Sequence, residues 1–239
     1  MDTHVLRKGY RHRNRKCSHS FSNNVTTATR ASDINNDNLT SIGVFASLTH
    51  GNFDATVSTP NFMYNQLVEK KNGTWQYTPL KYWPNNDSDK ISFFAYAPHN
   101  ATGVTPSNAI QKGYPSFTYT TPTAEADQVD LLAATPIINQ NGGSVDFKMQ
   151  HALTKVVFNV KSNDDITGKV ITAFSITGAK SGTLAFHVPA NDDDKGFGWT
   201  YPSTVTAETF TATTKSLSVP DKSTPEELCY VPTSCSPQI

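Results

Sequence analysis

The 239-residue sequence predicts an all-β fold. Three features point to it. β-Branched residues outnumber good helix formers in most windows. Apolar residues recur with a period of two in many short runs. Those runs are separated by Gly, Asn and Asp turn chemistry. Aliphatic and aromatic residues make up 36% of the chain and charged residues 17%, too apolar for disorder and too polar for a membrane bundle. No run approaches the roughly 18 apolar residues that a membrane-spanning helix needs. A chain of this length can bury one large core or two smaller ones.

Met1 to about Asp37 shows no hydrophobic period, only charge and then a polar tract with a short β-capable piece around Val25 to Thr29. In "LTSIGVFASL" the residues Ile42, Val44, Ala46 and Leu48 share one face, while Phe45 lies on the other and needs its own cover. Further strands are predicted at "FMYNQLVE", "TWQYTP", "ISFFAYAP", "PSFTYT", "VDLLAA" and "SVDFKMQ". "LTKVVFNV", "VITAFSITG", "GTLAFHV" and "KSLSVP" follow. In "ISFFAYAP", Phe93 and Ala95 fall on one face and Phe94 and Tyr96 on the other. That pattern predicts a strand covered on both sides, with the aromatics serving as core and not as a binding platform. Tyr82 and Trp83 are expected to close the sandwich edge beside it. "SVDFKMQ" and "LTKVVFNV" nearly abut, which fits one long bent strand or two strands with a tight link, with Val156, Phe158 and Val160 buried. Residues 108–113 and 124–128 hold a turn of helix at most.

Charge is uneven. Residues 1–20 carry Arg7, Lys8, Arg11, Arg13, Arg15 and Lys16 against Asp2, and the rest has 14 basic and 19 acidic side chains, a net of −5. The basic head has no aromatic interleaving beyond Tyr10 and no reading module, so no nucleic-acid partner is expected. It reads as a leader over residues 1–30, disordered or removed. No apolar segment follows it, as a signal peptide would require, and "RNRK" before Cys17 is not a lipoprotein cleavage context. Cys17, Cys229 and Cys235 form neither a disulfide framework nor a metal pattern, although Cys229 and Cys235 could pair across a turn.

Motifs for chemistry are missing from the sequence. It holds no nucleophile elbow, Walker loop, zinc spacing or dinucleotide fingerprint. "GAKSG", Gly178 to Gly182, reads as a hairpin turn between two strands. Asp192 to Asp194 lack the spacing of a calcium loop and read as a solvated turn, with a weak cation site as the alternative. His151 lies in a strong strand pattern and reads as a hydrogen-bonded structural histidine. Asp127 and Asp130 have no pocket that would make them an acid–base couple. No enzyme activity, cofactor or metal is expected.

"IGVFA", "YWP…ISFFAYAP", "VDLLAA" and "VDFKMQHALTKVVFNV" occur in this order, and from about Thr29 to Tyr230 the chain resembles the fimbrillin-like family, the type V pilus subunits of Gram-negative anaerobes. The resemblance implies transthyretin-like β-sandwich domains, here one over residues 31–160 and a partial one over 161–239. It implies export to the outer membrane as a lipoprotein, assembly into a fimbrium, and removal of an N-terminal segment at an arginine. The matching position is Arg30–Ala31, where Arg30 is the only Arg or Lys between Lys16 and Lys70. The strand lost would leave a groove for a strand of a neighbouring subunit, with host or bacterial surface ligands as further partners. The family pattern continues beyond "CYVPTSCSPQI", so the second domain is expected to be incomplete and the chain a fragment. The alternative is a stand-alone surface adhesin or glycan-binding sandwich, for which a stripe of Trp75, Tyr77 and Trp199 would be the sign.

Overall fold

The computed structural model describes residues 21–25, 34–124, 127–160, 170–218 and 226–233. Among them stand sixteen strands and no α-helix. In chain order these are β1 (Phe21–Val25), β2 (Ser41–His50), β3 (Met63–Lys71), β4 (Thr74–Gln76), β5 (Asp89–Ala97), β6 (Val104–Pro106), β7 (Ser116–Thr120) and β8 (Leu132–Ala134). β9 (Ile137–Gln140), β10 (Val145–His151), β11 (Thr154–Val160), β12 (Val170–Ala179), β13 (Ser181–Phe186), β14 (Phe197–Thr200), β15 (Ala207–Ser218) and β16 (Glu226–Thr233) complete the set. A large sheet runs in the order β1-β10-β8-β5-β2-β3-β4, with β9 also paired to β5. A smaller sheet has the order β14-β13-β7-β6, and β11–β16 and β12–β15 form two further pairs.

β5 sits at the centre of the large sheet. Every residue from Ile91 to Ala97 is buried, because its two faces feed two cores. Phe93, Ala95 and Ala97 join Ile42, Val44, Ala46, Val145, Phe147 and Met149 in the first. Leu39 and Trp83 close it from the loops, with Trp83 edge-on to Phe93 at 5.8 Å. Phe94 and Tyr96 turn the other way and meet Phe45, Phe117, Tyr119, Leu184 and Phe186, so the second core lies between the two sheets. Phe45 thereby finds its cover, stacked on Tyr96 at 6.1 Å. Each such buried aromatic contributes about 1.5–3 kcal/mol of transfer free energy.

Several expectations need correction. Tyr82 is 55% exposed, so only Trp83 caps the core. "GAKSG" is no hairpin turn: β12 pairs with β15 and β13 with β7 and β14, so the chain changes sheet at Lys180. "SVDFKMQ" and "LTKVVFNV" are two strands in different sheets, parted at Ala152–Leu153. A strand is described at Phe21–Val25, which reaches the start of the β-capable piece expected around Val25 to Thr29, and residues 26–29 lie outside the described residues. β13 and β14 share a sheet with β6 and β7. Local turn signals cannot tell whether a later strand returns to an earlier sheet. The side chains of Val156, Phe158 and Val160 lie outside the described residues.

Across the β2–β5 ladder, Gly43 faces Tyr96. The Tyr96 hydroxyl donates to Asn65 Oδ1 at 2.7 Å and accepts from the Asn100 N–H at 3.2 Å. Asn65 Nδ2 in turn donates to Asn100 Oδ1 at 2.9 Å. Burial pushes the Tyr96 phenol above its usual range, which keeps the donor proton on the oxygen. Asn65 adopts φ of 44° where the β2–β3 register shifts, a conformation asparagine tolerates better than most residues. A Cβ at Gly43 would overlap the Tyr96 ring and lie 2.8 Å from Asn65 Oδ1. Gly43→Ala is therefore expected to destabilise the protein by about 1–3 kcal/mol in a denaturant titration, the range for overpacking a filled core.

Candidate functional site

Trp75, Tyr77 and Trp199 do not form a stripe. Trp75 and Tyr77 pack against the first core, whereas Trp199 packs against the second and donates its Nε1–H to the Ala152 carbonyl at 2.7 Å. The aromatic residues are absorbed by packing. On the outer face of the smaller sheet, the register aligns Thr105, Thr118, Thr183 and Thr200 in one row. Beside it lies a hollow of about 390 Å³ lined by Thr118, Thr183, Thr200 and Tyr201.

The edge of the large sheet holds a more specific arrangement. β10 alternates buried Val145, Phe147 and Met149 with exposed Asp146 and Lys148, so one face belongs to the first core. One side of β10 pairs antiparallel with β8. Its other side is covered by β1, which runs parallel to it with Phe21 opposite Val145, Asn23 opposite Phe147 and Val25 opposite Met149. The outermost strand of the sheet is thus drawn from the polar segment that precedes Arg30.

Just after that arginine the chain is fastened again. The Ile34 N–H donates to Asp130 Oδ2 at 2.7 Å, and Asp130 Oδ1 lies 2.9 Å from Nδ1 of His151, the last residue of β10. The Asp130 and His151 side chains are only 12% and 21% exposed, so the pair is largely withdrawn from water. His151 is a hydrogen-bonded structural histidine, as expected. Asp130, read from sequence only as a failed acid–base partner, instead clasps residue 34 to the end of β10. A lone Asp before "LLAA" carries no signal for this, because its partners lie 96 and 21 residues away. Arg30 and Ala31 fall between β1 and Ile34 and lie outside the described residues.

Two further polar groups hold loops. His99 Nε2 lies 3.1 Å from the Asn65 carbonyl. Asp194 accepts from the Ala190 and Gly196 N–H groups, both at 2.9 Å, and faces His187 Nε2 at 2.9 Å. These three partners hold its carboxyl down at about 2. Its oxygens are therefore committed to the turn, and no group of three His, Cys, Asp or Glu placed to hold a metal occurs among the described residues.

The described residues thus define a two-sheet β-sandwich whose large sheet takes its edge strand from the chain's own N-terminal segment. The fimbrillin-like family model matches residues 29–234, and the chain belongs to that family. Over 156 residues it is 35% identical to fimbrium subunit Fim1C of Phocaeicola vulgatus, covering 58% of this chain and 41% of that protein. It spans about two fifths of that relative's length. A crystal structure of a fimbrial protein from Bacteroides vulgatus ATCC 8482 shares the fold, with a TM-score of 0.65 and 23% identity over 89% of this chain and 75% of the other.

Two measurements check the site. Asp130→Ala removes a charged acceptor from Ile34 and His151, and is expected to cost about 1.5–3 kcal/mol and to speed hydrogen exchange at the Ile34 amide. The Asp194 turn follows pH with a defined sign. Its folded pKa of about 2 lies below the ordinary 3.8, so its contribution is complete above about 4 and is lost as pH falls through 2. The Ala190 and Gly196 amide resonances should shift together over that window; invariant shifts would remove Asp194 as their acceptor.

Proposed function

We propose that the chain is a structural subunit or minor component of a cell-surface fimbria that assembles by strand addition after its N-terminal segment is removed at Arg30–Ala31. The observation that carries this reading is β1. It comes from the segment to be removed and covers the outer edge of β10. Its loss would leave a row of unpaired N–H and C=O groups beside the apolar residues Val145, Phe147 and Met149, a template for another strand. Arginine usage supports the processing step. All five arginines, Arg7, Arg11, Arg13, Arg15 and Arg30, precede Ala31, whereas lysines are scattered through the body. An arginine-specific protease therefore trims the head and finds no site beyond it.

Digestion of the native chain with such a protease tests this. The expected product is an intact body beginning at Ala31, identified by mass, which then associates with other subunits on sizing columns. Trimming that stops at Arg15 would overturn the processing site. A body cut at Arg30 that stays monomeric at high concentration, even with its family partners, would count against strand addition.

A second reading, a stand-alone glycan-binding surface adhesin, is favoured by the threonine row and its hollow, because a charge-free array of hydroxyls beside Tyr201 suits a neutral sugar. Binding on a glycan array that is lost in Thr118→Val with Thr183→Val would support it.

A further inference from the structure

The outer face of the smaller sheet carries a regular row of hydroxyls. Phe117, Tyr119 and Leu184 turn inward to the second core, so the residues alternating with them face solvent. There the ladders bring Thr105 of β6, Thr118 of β7, Thr183 of β13 and Thr200 of β14 into one row that crosses all four strands. Its step is the spacing between strands, about 4.8 Å. Thr118 Oγ1 and Thr183 Oγ1 lie 3.4 Å apart, and Thr200 Oγ1 donates to the Thr183 carbonyl at 3.2 Å. A hydroxyl has one donor and two acceptor sites, so these bonds leave acceptor capacity on each oxygen. Thr120 and Ser181 form the next row on one side, and Ser116, Ala185 and Gly198 the next on the other. None of these residues is charged, in a chain with 17% charged residues, and none has a side chain larger than threonine. The row is an open track, and the hollow of about 390 Å³ lies along it.

Resting on the glycan-binding reading above, we infer that this row takes a linear, neutral, β-linked polysaccharide, laid across the strands with one sugar residue to each threonine. Three features select that occupant. The face offers no cation to pair with an acidic sugar or a phosphate, and an ionic group left unpaired against it would lose hydration without return. The step between hydroxyls is close to the advance per residue of an extended β-linked pyranose chain, so successive sugars meet the same group in the same place. An α-linked chain curls and leaves the row after its first residues. The flanking rows also leave room for the rings, most of all at Gly198, where even an added Cβ would meet nothing within 4 Å. Each threonine presents a methyl beside its hydroxyl, which suits the mixed C–H and O–H surface of a sugar.

Titration calorimetry of the intact chain with β-linked oligomers of glucose, xylose and mannose, one to six residues long, tests this. For the sugar that binds, affinity is expected to rise about threefold with each residue up to the fourth and then level off, the scale of one hydrogen bond per step. Thr105→Val removes the hydroxyl at the end of the row, at an exposed position and with little change of shape. It should level the series one residue earlier and leave the shorter oligomers unchanged. α-Linked glucose oligomers should gain less than about twofold beyond the first residue. Equal gains for both linkages, a β-linked series that stops rising after one residue, or a series that Thr105→Val leaves unaltered would overturn the track. Those outcomes would leave the hollow standing as a site for single sugars. Binding of no oligomer at any length would overturn the glycan-binding reading together with the track.

Discussion

Burial of β5 on both faces is the constraint from which the rest of the architecture follows. A strand with one solvated face can drift in register at the cost of that face alone. Slipping β5 by one residue against β2 would exchange Phe93 and Ala95 with Phe94 and Tyr96, so both cores would fail together. The small residues share in this. Gly43 leaves room for the Tyr96 ring, and the ring's hydroxyl orders Asn65 and Asn100 at the end of the sandwich. The smaller sheet depends on it as well, since Phe117 and Phe186 pack onto the face that Phe94 and Tyr96 present.

Much of this was legible in the chain. The two-sided aromatic run of β5, the alternation of β2 and β10, and the lone Phe45 seeking cover all follow from period-two reading. What stayed hidden has physical reasons. β6, β9 and β14 are three or four residues long, too short for alternation to rise above the background of a Thr-rich sequence. The change of sheet at Lys180 is non-local, decided by which edge remains to be paired and not by "GAKSG" itself. The clasp at Asp130 was invisible for the same reason. The edge strand was half legible: "FSNNV" carries apolar residues at its ends, but Asn23 breaks the alternation where the pattern would have been recognised.

The two fastenings around Arg30 have different characters. Behind it, Ile34 is held by a charged acceptor that is itself paired to His151, and Leu39 is sunk in the first core. Ahead of it, β1 is held by a five-residue parallel ladder. Removal of the segment before Arg30, as proposed, would leave Ile34 and Leu39 to anchor β2, and with it both cores.

The parallel direction of β1 gives the link to Ile34 a particular meaning. Val25 pairs with Met149, and Ile34 is clasped beside His151, so these two fastenings lie at the same end of β10. A cut between them, as proposed at Arg30, would touch none of the described β1–β10 pairings. It changes molecularity. While joined, β1 meets β10 at the millimolar-order effective concentration of a short tether. Once severed, it is one solute among others, and its hold falls with dilution while its contacts stay the same.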